Sequence, residues 1–375
     1  MARLTRTTQS RLRHIGFSIL TWIPAALLFD AIRLLGVPPD SQLIFAGAQV
    51  APMLVVLVRG VTMGLCFGTL FGLVDLLVDR NIFKQTPYGL VVLIRTVAHV
   101  LVTSLILILA AYAGYEYSED PGTSVASAIG HELYSPTSWI LLIYTGVVSV
   151  LFNLFRQVNA MFGPGILTNI ISGKYHQPQE EARIFMFVDL KSSTTYAERL
   201  GHKLYSELIQ DCFYDLTDTL IRYEVEVYQY VGDEAVLTWR VEDGLRDGNC
   251  IEAYYSFEAQ IRSRAREYFN KYGLVPAFKA GANTGMVMVA EVGVIKKEIA
   301  YHSDVLNTAA RIQGRCNELG KRLLISEHLR NQLPPMPGYH IEEVGSVPLK
   351  GKETAVTLFS VQPVEEVENV FVWHQ

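Results

Sequence analysis

Two aspartates, Asp189 and Asp233, have the type and setting of metal ligands. Asp189 lies at the end of the apolar run 184–190 (IFMFVDL), and Asp233 sits in Val231-Gly232-Asp233 between the strand-like segments 224–230 and 234–239. If the run is a buried strand and the two segments a hairpin beside it, both carboxylates project from adjacent strand ends at one edge of a sheet. Paired carboxylates suit Mg²⁺, which keeps waters and substrate phosphates in its shell. Two such ions can activate a hydroxyl and stabilise a leaving phosphate. Either aspartate alone is an ordinary turn residue. Downstream of Asp189, Leu190-Lys191-Ser192-Ser193-Thr194-Thr195 is a small polar turn entering a helix. Its Ser and Thr are N-cap residues, and the free N–H groups of a helix start favour a phosphate, although capping alone accounts for the residue types. Asn307 and Arg311, four apart, share one helix face. An amide can hold a ribose oxygen and a guanidinium the charge that develops on phosphorus, but taken alone such a pair is a surface pair.

The elements that must position these groups alternate along residues 182–363. Strands are expected over 184–190, 277–289, 321–326 and 354–361, with the hairpin 224–239, and helices over 195–220, 252–272 and 307–319. The pattern predicts an α+β sandwich, with helices on one face of a mainly antiparallel sheet. Residues 161–181 are a juxtamembrane linker: Gly163-Pro164-Gly165 breaks the helix before it, 166–171 is a short amphipathic stretch, and Gln179-Glu180-Glu181 leads into the next domain. Residues 364–375 form a tail.

Half of the 375 residues are hydrophobic, and the excess lies in residues 1–160. Apolar runs at 15–36, 43–78, 96–115 and 133–155 predict a membrane domain of four transmembrane helices, the second a long tilted helix bent at Pro52. The N-terminus, Arg80 with Lys84, and Arg156 are basic, whereas the segment 116–132 carries only acids. The positive-inside rule then puts both chain ends in the cytoplasm; the expected location is the inner (plasma) membrane as a multi-pass chain, with the lipid bilayer as a partner. Asp30, Arg59, Asp75 and His99 lie at or near membrane depth, where ionisable groups pair with one another or carry function. The net charge of −5 gives no footprint for nucleic acid, and Cys66, Cys212, Cys250 and Cys316 contain no CxxC pair, which excludes a disulfide framework and a zinc site.

Five blocks resemble the class III adenylyl/guanylyl (nucleotidyl) cyclase family, of the membrane-anchored bacterial type. FVDLKSST (187–194) resembles the first metal-Asp block, YQYVGDE (228–234) the second, GANTGMVMVAEVG (281–293) the glycine-rich hairpin, YHSDVLNTAARI (301–312) the block ending in Asn-x-x-x-Arg, and LKGKETAVTLFSV (349–361) the closing strands. The resemblance implies a ferredoxin-like α+β catalytic domain and a homodimer whose sites take metal aspartates from one subunit and the Asn/Arg pair from the other. It implies that Asp189, Asp233 and the Leu190 carbonyl bind two Mg²⁺ or Mn²⁺ ions, and that the backbone of Lys191, Ser192, Ser193 and Thr194 holds the β- and γ-phosphates. It further implies that Asn307 orients the ribose, Arg311 stabilises the pentavalent phosphorus, and Lys296 or Lys297 and Lys350 or Lys352 touch phosphate. The product is then a 3′,5′-cyclic nucleotide and pyrophosphate, for intracellular signalling. At the base-reading positions this chain has Gln229 for the usual Lys and Ala300 for the usual Asp or Thr, so the base stays open, with ATP favoured. Two other readings compete: a membrane receptor with a non-catalytic nucleotide-sensing domain, and a diguanylate cyclase, whose second glycine is Val231 here.

Overall fold

The computed structural model describes residues 6–35, 52–78, 86–116, 124–162, 166–295, 297–347 and 355–364. The chain divides into two compact units, Met1–Met161 and Phe162–Gln375. The first is helical: α1 (Arg6–Leu35), α2 (Pro52–Val78), α3 (Tyr88–Glu116), α4 (Val125–Leu133) and α5 (Pro136–Phe162). Among the described residues, four helices are long and apolar enough to cross a membrane, over His14–Arg33, Val56–Val78, Tyr88–Ala113 and Pro136–Asn159. Pro52 does not bend α2 but stands in its first turn, where a missing N–H costs nothing; residues 43–51 lie outside the described residues. The short α4 occupies part of the segment expected as a loop, because Ser124 caps it by accepting from the Ser127 amide at 3.2 Å.

Glycine brings α1 and α2 into close contact. Gly60, Gly64, Gly68 and Gly72 recur every fourth residue along one face of α2, and Leu27, Ile23, Ile19 and Ile15 of α1 lie against them. A Cβ on Gly64 would meet the Ile23 Cα at 2.4 Å, and one on Gly68 the Ile19 Cα at 2.5 Å. The ionisable groups pair. Arg59 of α2 donates to both Asp30 oxygens of α1, at 3.2 and 2.7 Å. Asp75 is fully buried and gathers Arg156 of α5 with Arg95 and His99 of α3, while Arg156 also reaches His14 of α1. One carboxylate thus joins all four long helices.

The second unit contains α6 (Ile166–Ile171), β1 (Gln179–Leu190), α7 (Ser193–Arg222), β2 (Glu226–Val231), β3 (Glu234–Arg240), α8 (Val241–Leu245), α9 (Asn249–Ser263), α10 (Ala265–Tyr272), β4 (Phe278–Val292), β5 (Glu298–His302), α11 (Asp304–Gly314), β6 (Leu323–Ser326), α12 (Glu327–Arg330), β7 (Tyr339–Val347) and β8 (Val356–Pro363). The sheet order is β2-β3-β1-β4-β6-β8-β7, with β5 hairpinned onto β4. Among the described residues, only β4 and β6 pair in parallel. Gln179, Glu180 and Glu181, expected in the linker, are strand, because they pair with Val289, Met288 and Val287. The helix expected over 252–272 is two helices, α9 and α10, separated at Arg264, which leaves helical geometry at φ −103°.

Strand alternation gives the sheet two apolar faces. Ile184, Met186, Val188 and Leu190 face the large core with Leu208, Cys212, Tyr254 and Phe257 of α7 and α9. Phe185 and Phe187 face the other way, onto Val305, Leu306 and Ala309 of α11. Helices therefore lie on both faces of the sheet rather than on one: α7 and α9 on the first and α11 on the opposite one.

Candidate active site

β1 ends at Asp189 and Leu190, and the hairpin β2–β3 turns through Gly232 and Asp233. Gly232, at φ 62°, supplies the positive φ that a two-residue hairpin turn requires. Asp189 is paired across to Glu234 on one side and to Lys279 of β4 on the other. The sheet register thus brings Asp189, Glu234 and Lys279 abreast, with Asp233 in the adjoining turn.

The electrostatics of this edge are those of crowded acids. Burial raises the Asp189 carboxyl above its usual range and Asp233 adds to it, against Lys279 and Gln313, which donate to it. Glu234 is pushed up to about 7 by burial and then by Asp189 and Asp233. Oδ2 of Asp233 is buried with no hydrogen-bond partner among the described residues. A divalent cation fits such an arrangement, since it supplies the missing positive charge and takes an orphaned carboxylate oxygen. Among the described residues no group of three or more His, Cys, Asp and Glu is gathered as a metal site. For a cation, the two aspartates would be a partial ligand set, to be completed by backbone oxygen, water or substrate.

The turn after Asp189 departs from a simple cap. Ser192 stands at the N-cap position of α7 in left-handed geometry, φ 59°, and its side chain makes no capping bond. Lys191 is not among the free amides, because its N–H donates to the Ala277 carbonyl at 2.8 Å. Residues 192–194 remain at the start of the helix, where first-turn amides lack intrahelical partners. Tyr205 of α7 bonds to Ser193, and burial followed by Asp233 raises its hydroxyl.

Asn307 and Arg311 lie on α11, Asn307 exposed and Arg311 half-buried, its Nη1 without a hydrogen-bond partner among the described residues. Gln313 is two residues on from Arg311, roughly 200° around the helix, and its Nε2 donates to Asp189 Oδ2 at 2.7 Å. The inner face of α11 therefore touches Asp189 of its own chain, and the Asn/Arg pair is turned away from it. Gln229 is exposed on β2 next to a register shift, and Ala300 is half-buried on β5 opposite Ala290. Their neighbours Tyr228 and Tyr301 meet edge to face at 5.0 Å. Lys297 pairs with Glu291, whereas Lys296, Lys350 and Lys352 lie outside the described residues. A cavity of about 310 Å³ between α11, β6 and β8, lined by Asn283, Asp304, Thr308 and His328 among others, includes none of the residues singled out from the sequence.

Sequence reasoning missed Gln313, Lys279, Glu234 and Tyr205. Lys279 and Glu234 become neighbours of Asp189 only through strand register, and Gln313 only through the docking of α11.

A family model described as adenylate and guanylate cyclase catalytic domain matches residues 175–362. The chain is 32% identical over 221 residues to adenylate cyclase 2 of Rhizobium meliloti, covering 59% of this chain and 61% of that protein. It is 27% identical over 209 residues to the speract receptor of Strongylocentrotus purpuratus, covering 52% of this chain and 18% of the receptor. A solved structure of a bacterial light-regulated adenylyl cyclase superposes with a TM-score of 0.51 at 17% identity, over 60% of this chain and 65% of that one. The chain thus spans under two thirds of each of these relatives, and the superposition speaks for the fold alone.

Proposed function

Because the chain belongs to the class III adenylyl and guanylyl cyclase family, we propose that it is a membrane-anchored nucleotidyl cyclase. Its substrate is a nucleoside triphosphate, with ATP favoured, and its sites form between two copies of the chain. The observation that carries this reading is the crowded acidic edge at Asp189 and Asp233, where one carboxylate oxygen has no partner among the described residues and β1 leads straight into the first turn of α7.

Asp189 and Asp233, with the Leu190 carbonyl, would hold two Mg²⁺ or Mn²⁺ ions, whose charge would acidify the attacking hydroxyl and offset charge on the leaving phosphates. The amides of Ser192, Ser193 and Thr194 receive the terminal phosphates at the helix start. The ribose 3′-hydroxyl gives up its proton to solvent as its oxygen forms a bond to the α-phosphorus, the bond from that phosphorus to the bridging oxygen breaks, and pyrophosphate departs. Asn307 orients the ribose, and the Arg311 guanidinium meets the charge that develops on the phosphorus. Asn307 and Arg311 look away from Asp189 of their own chain, which supports a site shared between subunits. Lys296 or Lys297, and Lys350 or Lys352, are further phosphate contacts. Gln229 can both donate to and accept from an adenine edge, as glutamine does with adenine elsewhere, and the relative from Rhizobium meliloti is named an adenylate cyclase. The basic flanks of the apolar helices orient both chain ends to the cytoplasm of the plasma membrane.

The test is product identification. The full chain, in detergent with Mn²⁺, is given ATP, GTP, CTP and UTP separately, and products are resolved by mass. Cyclic AMP should dominate, with a second cyclic product at roughly one tenth to one hundredth of the rate, because Ala300 gives the base no side-chain partner. Asp189→Asn and Asp233→Asn should each abolish turnover. Nucleotide binding without any cyclic product would instead make the domain a sensor.

A further inference from the structure

Asp189 receives two donors on the same oxygen. Lys279 brings Nζ to 3.2 Å from Oδ2, and Gln313 brings Nε2 to 2.7 Å. Neither contact is loose. Lys279 is the cross-strand partner of Asp189 in the β1–β4 register, with a side chain only 12% exposed. Gln313 is 7% exposed and lies over Gly281, where a Cβ would come within 2.1 Å of the Gln313 backbone nitrogen. Glycine at 281 thus sets the distance at which α11 seats on β4, and so the reach of the Gln313 amide to Asp189.

The two donors differ in what they do to a cation. An amide hydrogen bond orients the carboxylate and leaves its charge intact. An ammonium also orients it but cancels that charge, and it repels any further cation nearby. We propose that Gln313 is a positioning residue that aims Asp189 at its metal ion, and that Lys279 is a counter-cation that holds the acidic edge together in the metal's absence and opposes metal binding. This rests on the reading of Asp189 as a metal ligand given above. Loss of Gln313 should then weaken metal binding, and loss of the Lys279 charge should strengthen it. Two residues that merely support the fold would shift binding in the same direction.

The experiment is a Mn²⁺ titration of the full-length protein, stripped of metal in detergent, with free Mn²⁺ followed by its paramagnetic resonance signal. Gln313→Leu keeps the bulk and removes the donor, and should weaken Mn²⁺ binding about tenfold or more, as expected for a hydrogen bond to a charged group. Its kcat at saturating Mn²⁺ should fall far less than its apparent Mn²⁺ affinity. Gln313→Asn, too short to reach, should shift binding the same way and serves if the leucine variant does not fold. Lys279→Met should tighten Mn²⁺ binding about tenfold, since a like charge a few ångströms from the ion is removed. Asp189→Asn is the reference. If it binds Mn²⁺ as the wild type does, the assignment of Asp189 as a ligand fails. If it abolishes binding, while binding is unchanged in the folded Gln313 or Lys279 variants or shifts with the same sign in both, the proposal is overturned.

Discussion

At the scale of single residues, what can be tested most directly is the price of moving one charge. Glu181, at the start of the α11 face of β1, accepts from Lys174 at 2.9 Å, Tyr175 at 2.7 Å and Arg183 at 2.9 Å. Burial would raise its carboxyl, but these donors outweigh burial and hold it at about 2, below an ordinary 4.5. A depressed carboxyl stabilises the fold while ionised, so this contribution is complete above about 4.5 and disappears as pH falls towards about 2. Glu181→Gln should therefore cost roughly 2–3 kcal/mol at pH 7 and little near pH 2, measured by denaturant unfolding at the two pH values. An equal loss at both would show that Glu181 acts through packing rather than charge. The sequence marks Asp189, Asp233, Asn307 and Arg311 because each sits in a local pattern that can be read within ten residues. It does not mark Glu181 or Gln313, since their partners are chosen by how distant strands and helices come together. Lys191 misleads for the same reason: its amide is engaged by Ala277, across the sheet edge.

Among the elements, α1 and α2 make the sharpest test. Gly64 has no room for a Cβ, which would lie 2.4 Å from the Ile23 Cα, whereas Gly16 of α1 has nothing within 4 Å. Gly64→Ala should force the helices apart and cost about 1–3 kcal/mol; Gly16→Ala should be neutral or gain up to about 1 kcal/mol from helix propensity. Unfolding of the purified full chain in mixed micelles compares the two, and equal effects would remove glycine contact as the reason for the packing. The apolar runs announce these helices because long stretches with so few charges leave few alternatives. The contact between them is not legible, since the same glycines are compatible with any close neighbour. In the catalytic unit the long strands and helices are legible from their periodicity. β5, β7 and α12 are not, because β5 and β7 are fixed by pairing to β4 and β8, and α12 by packing on β4, β6 and β8, rather than by their own composition.

The whole molecule is where the shared site must be decided. Asp189→Asn and Arg311→Ala are each inactive on the reading above, but they spoil opposite halves of a site. Co-expressed with different tags and purified through both, the heterodimer contains one site spoiled twice and one whole, and should recover about half of wild-type activity. An inactive heterodimer would mean that each chain builds its own site. The sheet order has one more consequence, for the making of the protein. β1 is central, yet it leaves the ribosome before either neighbour: Ile184 must wait for Trp239, and Gln179 for Val289. At about 5–20 residues per second that wait lasts many seconds, while the run IFMFV has no partner and the four apolar helices have all been made. Synthesis thus runs through a stage in which an anchored chain carries an unfinished, adhesive strand, and two nascent copies on one messenger are close enough for β1 of one to meet the other. Slowing elongation between β1 and β4 should lengthen this exposure and lower the yield of folded protein, with the fault lying in translation timing rather than in any residue of the finished structure.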